Sequence, residues 1–349
     1  MYDLIVIGGG VNGMAPAVHV ARKGMKTVVL ERDKPGAGAS SAAAGMLGAS
    51  TEWLPDESVR SYAESARDYL KSWVPDLEKQ TGVKAGLLNT GAWRLAYTDQ
   101  GQEELRAHAD KAGLTCVDAP EIAGVHQALS GISFPSEAQV EATAYLNTLR
   151  AAADAEGVEV IYPAQATSIT AENTLWSVTA AGETYVGRHV LYAGGIGPAP
   201  CPGMPEMVPV KGECLRFKPE APILDTVIVT ETVYLVPKAD GSVICGATET
   251  PYDTTLHVHA ASEEWLLKEA ERICPELSGG AVKQRWAGVR PKSVRGRPAI
   301  GRLAAGLYVN TGHYRNGILF SGYTGKLLAE ACSSGRVPEA LQPFNPEGD

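Results

Sequence analysis

The segment DLIVIGGGVNGMAPAVHVARKGMKTVVLERD, residues 3–33, constrains the fold of this chain more than any other. Asp3 to Ile7 opens it with a continuous apolar run, the pattern of a strand buried on both faces. Gly8, Gly10 and Gly13 then give G-x-G-x-x-G, and an alanine-rich helix runs to about Lys23, with Pro16 tolerated near its first turn and Gly24 ending it. KTVVLE reads as a second buried strand with Glu31 at its end. Each piece has a physical task. Gly8 permits the tight turn, Gly10 lets a pyrophosphate approach the backbone, and Gly13 lets helix and strand pack closely. The helix N-terminus, at Val11 and Asn12, offers free N–H groups and partial positive charge to phosphates. Glu31 can accept hydrogen bonds from a ribose diol, with Arg32 beside it. Strand, glycines, helix, strand and acid in that order point to a bound dinucleotide; a tight turn with no ligand is the weaker alternative.

The rest of the composition narrows the class. The 349 residues are enough for about two domains. The net charge of -9 argues against nucleic acid or an anionic membrane surface, which need widespread positive charge. Six cysteines, Cys116, Cys201, Cys214, Cys245, Cys274 and Cys332, include no C-x-x-C pair, which argues against a zinc site or redox couple. The histidines of HVH, His257 and His259, lie in a loop-like stretch without evident partners, so no metal is expected. The N-terminal run has no basic n-region and is too short to span a bilayer. A cytoplasmic protein with reduced thiols is expected.

After the second strand, GAGASSAAAGMLGAS (residues 36–50) is almost all small residues and shows no helix or strand pattern. It is more apolar than a flexible linker, so it should lie against something flat or bulky, such as a cofactor. VIGGGVNG, LE and SSAAAGMLGA, followed in order by VPVKGECL (208–215), YLVPKADGSVICGAT (234–248), RWAGVRP (285–291) and GHYRNGILFSGYTG (312–325), resemble the FAD-dependent amino-acid oxidases, the D-amino-acid oxidase and glycine oxidase family. The resemblance covers nearly the whole chain. It implies an α/β architecture: a Rossmann-like FAD-binding domain of glutathione-reductase type, with an inserted antiparallel β-sheet substrate domain. Residues 1–83, 141–203 and 286–349 are expected to form the first, and 84–140 and 204–285 the second.

Periodicity fills in the elements. Helical spacing covers residues 57 to about 80, with Arg60, Glu64, Arg67, Tyr69 and Lys71 on the expected wet side. Residues 91–98 read as a strand, 100–113 as a helix ended by glycine, and 143–156 as another helix followed by strand-like sequence. HVLYAGG is a buried strand, the Pro- and Gly-rich stretch 195–209 a boundary, and 209–285 β-rich. LYVNTGHYRNGILF gives strand, turn and a final helix starting near Asn316, whose N–H groups suit the negative charge of a reduced flavin, with Gly317 permitting close approach.

Between residues 285 and 302 the acidic chain places Arg285, Arg290, Arg295, Arg297 and Arg302. Arginine is suited to clamp a carboxylate, because its planar fork matches both oxygens. Arg290 sits in the apolar WAGVRP run, where an unpaired charge is costly. From the residues alone a carboxylate clamp and a structural salt bridge are about equal; the resemblance favours the clamp. Arg295, Arg297 and Arg302 lie in polar, turn-like sequence and should be solvated or paired with acids. The resemblance further implies substrate contacts at Tyr234, Arg315 and Met46. It implies cofactor contacts at Gly8, Gly10, Val11, Asn12, Gly13, Glu31, Arg32, Ser40, Ser41, Ala43, Ala44, Gly45, Met46, Ala166, Ala193, Gly194, Gly195, His313, Arg315, Asn316, Gly317, Ile318 and Leu319. FAD should be non-covalent, since a covalent-flavin cysteine has no clear counterpart.

The implied reaction passes hydride from substrate Cα to flavin N5, hydrolyses the imine to 2-oxo acid and ammonia, and returns electrons to dioxygen as hydrogen peroxide; no catalytic base is needed. Substrate is glycine, sarcosine or a small D-amino acid, a homodimer or homotetramer is compatible with the resemblance, and a link to thiamine biosynthesis fits it. Two positions depart from the glycine oxidase pattern. Thr232 and Glu249 stand where histidine and methionine are expected beside the flavin, and Glu249 leaves room for an amine-bearing substrate or a pair with Arg315. Ile244 stands at the lysine position of monomeric sarcosine oxidases and Ile196 replaces a tryptophan. A D-amino-acid oxidase or quinone-linked dehydrogenase for a larger or basic substrate, and a flavoprotein without oxidase activity, remain as alternatives.

Overall fold

The computed structural model describes residues 1–346 except 55, 199, 201, 202 and 280. Cys201 therefore lies outside the described residues, as does part of the expected boundary at 195–209.

The first strand, Tyr2–Ile7, lies at the centre of an eight-stranded sheet. It is parallel to Thr27–Leu30 on one side and to Glu183–Tyr192 on the other. The sheet extends through Glu159–Ile161 at one edge and Leu307–Thr311 and Ala299–Ala304 at the other. Its continuous apolar run is explained by alternation, since successive strand residues face opposite sides. Leu4 and Val6 pack with Met14, Val18, Leu70, Leu149 and Phe320, in a core built by four helices, Val11–Ala21, Glu57–Thr81, Ala142–Ala155 and Gly317–Ser334. Ile5 and Ile7 face the other way, into a core with Val28, Val178 and Val190, covered by the hairpin Ala166–Glu172 and Leu175–Ala180.

Two helix expectations change in detail. The small-residue stretch contains one turn of helix, Ala39–Ala42, and a two-residue strand, Met46–Leu47. Arg67 is buried rather than wet: its Nη1 meets Glu137 Oε1 at 3.3 Å and its Nε meets Asp68 at 2.9 Å. A carboxylate on the loop between two strands draws it inward, which periodicity within its own helix does not register.

The second sheet has nine strands, ordered Thr250–Pro251, Met207–Lys218, Val243–Gly246, Tyr234–Pro237, Val227–Val229, Ala92–Ala96, Ser130–Phe134 and Val117–Asp118, with Ala281–Ser293 along the free side of Met207–Lys218. All its pairings are antiparallel except that of Val227–Val229 with Ala92–Ala96. Ala281–Ser293 pairs with Met207–Lys218 along its whole length, so the expected boundary between 285 and 286 falls inside a strand. The stretch read as β-rich also holds a helix, Ala260–Ile273, whose Leu266, Ala270 and Ile273 bury against Leu215 and Phe217. Their spacing of four and three is a helical stripe that the flanking strands masked.

Candidate active site

A cavity of about 1220 Å³ runs between the two sheets. It exceeds the roughly 300–1,000 Å³ usual for small-molecule sites, as a dinucleotide and a substrate together require. One end is built by the glycine turn. Gly8 has φ +110°, and a Cβ there would overlap the Ala193 carbonyl; at Gly13 it would overlap the Gly8 carbonyl. Gly8, Gly10, Val11, Asn12, Glu31, Arg32, Ser40 and Ser41 line this end. Glu31 Oε2 accepts from Gly9 N at 2.6 Å and Oε1 from Asp33 N at 3.0 Å, which fixes the carboxylate just past the second strand. Ser40 Oγ accepts from Val11 N at 3.1 Å, so the short helix in the small-residue stretch touches the N-terminus of the first helix.

Small residues continue along the wall. Ala43, Ala44, Gly45 and Met46 line the cavity, with Ala166, Ala193, Gly194 and Gly195 opposite. Their smallness has a packing reason as well: Trp286 Nε1 donates to Ala42 O at 3.0 Å, and a Cβ on Gly288 would overlap Ala42. The buried ammonium of Lys238 donates to Ala44 O at 2.6 Å and to Val140 O and Gln139 Oε1 at 3.0 Å, pinning the same segment from behind. Burial in an environment of neutral oxygens lowers its pKa to about 8.

A second helix N-terminus faces the cavity, with Asn316, Gly317 and Ile318 in its wall. Asn310 joins the two ends, donating to Asn12 O at 2.7 Å and pairing with His313 Nε2 at 2.9 Å. Burial holds His313 neutral, its pKa lowered to about 3. Asn12 Oδ1, Thr311 Oγ1 and His313 Nδ1 are buried without a hydrogen-bond partner, and all three residues line the cavity. Orphaned polar atoms beside two helix N-termini and a glycine cradle fit a large polar ligand with phosphates. Two expected contacts lie outside the wall: Gly13 is spent on helix–strand packing, and Leu319 is in the core.

The other end of the cavity collects Arg290, Tyr234, Arg315 and Met46. Arg290 lies flat across Gly212 on the neighbouring strand, where any Cβ would overlap its guanidinium. Its Nη1 donates to the carbonyls of Lys211 at 3.4 Å and Thr248 at 3.3 Å, and among the described residues no carboxylate reaches it. Tyr234 is 8% exposed and its hydroxyl lies 3.6 Å from Cys214 Sγ; burial pushes the phenol pKa up. Arg315 meets Glu52 at 3.6 Å, and that charge raises its pKa.

The remaining arginines are occupied elsewhere. Arg285 pairs with Glu263 at 2.6 Å, Arg295 donates to the Asn345 and Pro346 carbonyls, and the exposed Arg302 donates to the Gly335 carbonyl. Glu249 is exposed and outside the cavity wall, where its carboxylate takes the Tyr314 hydroxyl; Arg315 has Glu52 instead. Thr232, expected beside the flavin, is also outside: its hydroxyl bonds Glu269 on the outer helix. The HVH histidines do have partners, since His259 bonds Glu213 through both its backbone N (2.8 Å) and its ring (2.9 Å). Sequence reasoning missed Glu52, Gly212, Cys214, Arg216 and Tyr314 as wall residues. For three of them a signal existed: Gly212, Cys214 and Arg216 alternate along one strand and so share a face.

Residues 3–331 match the DAO family, FAD-dependent oxidoreductases. The chain belongs to this family. It is an FAD-dependent oxidoreductase, and the glycine cradle and two helix N-termini are the surfaces that fit its FAD. Glycine oxidase of Geobacillus kaustophilus (strain HTA426) is 30% identical over 99% of this chain and 96% of its own. A crystal structure of glycine oxidase from Geobacillus kaustophilus superposes with a TM-score of 0.92 over 100% of this chain and 99% of that one, at 28% identity. The bifunctional protein ThiO/ThiG of Trichormus variabilis (strain ATCC 29413 / PCC 7937) is 34% identical over 98% of this chain, which spans 54% of that protein. Among the described residues no helix is long and apolar enough to cross a membrane, and no cluster of His, Cys, Asp and Glu could hold a metal.

Proposed function

We propose that the protein oxidatively deaminates glycine or another small amine-bearing acid, sarcosine or a small D-amino acid, giving the 2-oxo acid, ammonia or amine, and hydrogen peroxide. The observation that carries this reading is Arg290, a cation with no carboxylate partner among the described residues, laid across Gly212 inside the FAD cavity. One guanidinium nitrogen is held by two carbonyls. The other faces remain for a substrate carboxylate, and a fork of this kind binds it in two-point fashion. Tyr234, kept protonated by burial, is a hydroxyl donor at the same end. When bound, FAD supplies the two-electron acceptor for the substrate Cα–H. The chain's own part is to orient the acid, exclude water and leave the amine neutral. Similarity to glycine oxidases over the full chain supports the substrate class. Glu249 bonds Tyr314 at the rim, and a basic D-amino acid is the second reading it leaves.

We expect a cytoplasmic setting and a homodimer or homotetramer, the latter measurable by light scattering. Oxygen uptake and peroxide release with glycine, sarcosine and a panel of D-amino acids test the reading. Turnover with glycine or sarcosine supports it. Turnover restricted to large or basic D-amino acids, or electron transfer to quinone but not to oxygen, contradicts it.

A further inference from the structure

We infer that Glu213 and Thr248 are positioning residues for substrate binding: together they hold the carbonyl on which Arg290 rests, and so set the orientation of its fork. The inference depends on Arg290 as the carboxylate anchor. The strand Met207–Lys218 has two unlike faces. Gly212, Cys214 and Arg216 face the cavity, whereas Lys211 and Glu213 point the other way and are both 0% exposed. Leu215 and Phe217 continue that second face as hydrophobic core. A fully buried ion pair at the end of an apolar face is costly unless every group is satisfied. Here they are. Lys211 Nζ reaches Thr255 Oγ1 at 2.9 Å, and Glu213 and Asp253 at 3.3 Å. Glu213 Oε1 accepts from His259 N and Oε2 from the Thr248 hydroxyl at 2.9 Å. Burial pushes the Glu213 pKa up, but these hydrogen bonds and one from Ser262 outweigh it and lower the pKa to about 2.

The link to the cavity passes through Thr248. Its hydroxyl donates to the Glu213 carboxylate and accepts from Glu213 N at 3.0 Å, and its own N–H bonds Glu213 O at 3.4 Å. Three hydrogen bonds to one residue hold Thr248, whose carbonyl accepts from Arg290 Nη1. The other carbonyl on that nitrogen belongs to Lys211, the second member of the buried pair. Both rests of the anchor are thus backbone groups of residues locked into one cluster on the far side of the strand. The same cluster ties down the loop that carries Thr254 and Leu256 into the cavity wall. Freeing the Thr248 peptide leaves Arg290 in place but lets its fork tilt, which weakens a two-point contact more than it disturbs the flavin.

The test uses FAD-loaded enzyme and sodium acetate, a carboxylate with no amine, titrated against the absorbance of the bound flavin. Thr248→Val keeps the shape and removes the hydroxyl. It should weaken acetate at least fivefold and raise KM for the amino-acid substrate by a similar factor, with kcat within twofold. Thr248→Ser should restore both. Glu213→Gln should weaken acetate in the same direction, an independent reading if the valine variant does not fold. Acetate affinity within twofold of the parent in either variant, or a serine variant as weak as the valine, overturns the inference even if thermal stability falls. Arg290→Met is the separate control: unchanged acetate affinity there sinks the anchor itself.

Discussion

The two ends of the cavity are built on opposite principles. At the FAD end the backbone does the binding. Gly8 and Gly10 clear space, two helix N-termini face the cavity, and short side chains line much of the wall, with Glu31 and Arg32 just past the second strand. At the proposed substrate end long side chains gather, Arg290, Tyr234 and Arg315, and glycine appears in a different role: Gly212 is bare so that Arg290 can lie across it. The FAD end needs a fixed local sequence because backbone path and ligand are inseparable. The substrate end needs only that distant residues converge, and Arg290, Gly212, Thr248 and Tyr234 come from four elements or their ends.

The contrast predicts a separation of effects. Gly8→Ala combines a Cβ at φ +110° with overlap on the Ala193 carbonyl. Strain and overpacking together cost roughly 4 kcal/mol, about 10³-fold in FAD affinity. The variant should purify colourless, as fluorescence titration with FAD can check. Arg290→Met should stay yellow and lose roughly 2–5 kcal/mol of substrate binding in kcat/KM, the cost of removing one partner of a desolvated charge pair. Gly212→Ala should also keep FAD, yet raise KM about tenfold by displacing the guanidinium, a shift of roughly 1.4 kcal/mol. Retained flavin with a lost substrate site, and the reverse, would sharpen the division; loss of both together in Gly212→Ala would break it.

A pH effect of a different kind follows from the buried histidines. Burial lowers the pKa of both His19 and His313 to about 3. Between that value and the usual 6.5 the unfolded chain binds a proton that the folded chain does not. Stability therefore rises with pH over this window and levels off above 6.5. Urea unfolding midpoints from pH 4 to 7 should show the slope, and His19→Gln should reduce it. The smallest effect is expected at Thr232, on the outer side of the second sheet: Thr232→His should change kcat/KM less than twofold.

Legibility in the sequence followed the same division. The FAD end was readable because its signals are contiguous: Gly8 to Glu31 spans one strand–turn–helix–strand unit, and its order alone points to a dinucleotide. Arg290 was readable as one of two equal possibilities, and resemblance favoured the clamp; the geometry adds that no carboxylate among the described residues competes for it. Glu52 was not readable, because its link to Arg315 joins residues 263 positions apart. Thr232 follows a strand end, where a difference of one residue turns a side chain from the cavity to the outside, and Glu249 stands at the rim, bonded to the wall residue Tyr314. The helix Ala260–Ile273 was hidden between strands although its own stripe was regular.

The most direct test of the central claim is anaerobic mixing of the FAD-loaded protein with glycine or sarcosine, following the flavin absorbance, beside the Arg290→Met variant. The parent should bleach rapidly, and the variant at least thirtyfold more slowly at subsaturating substrate. A parent flavin that no small amino acid bleaches, or a variant that bleaches as fast as the parent, would contradict it.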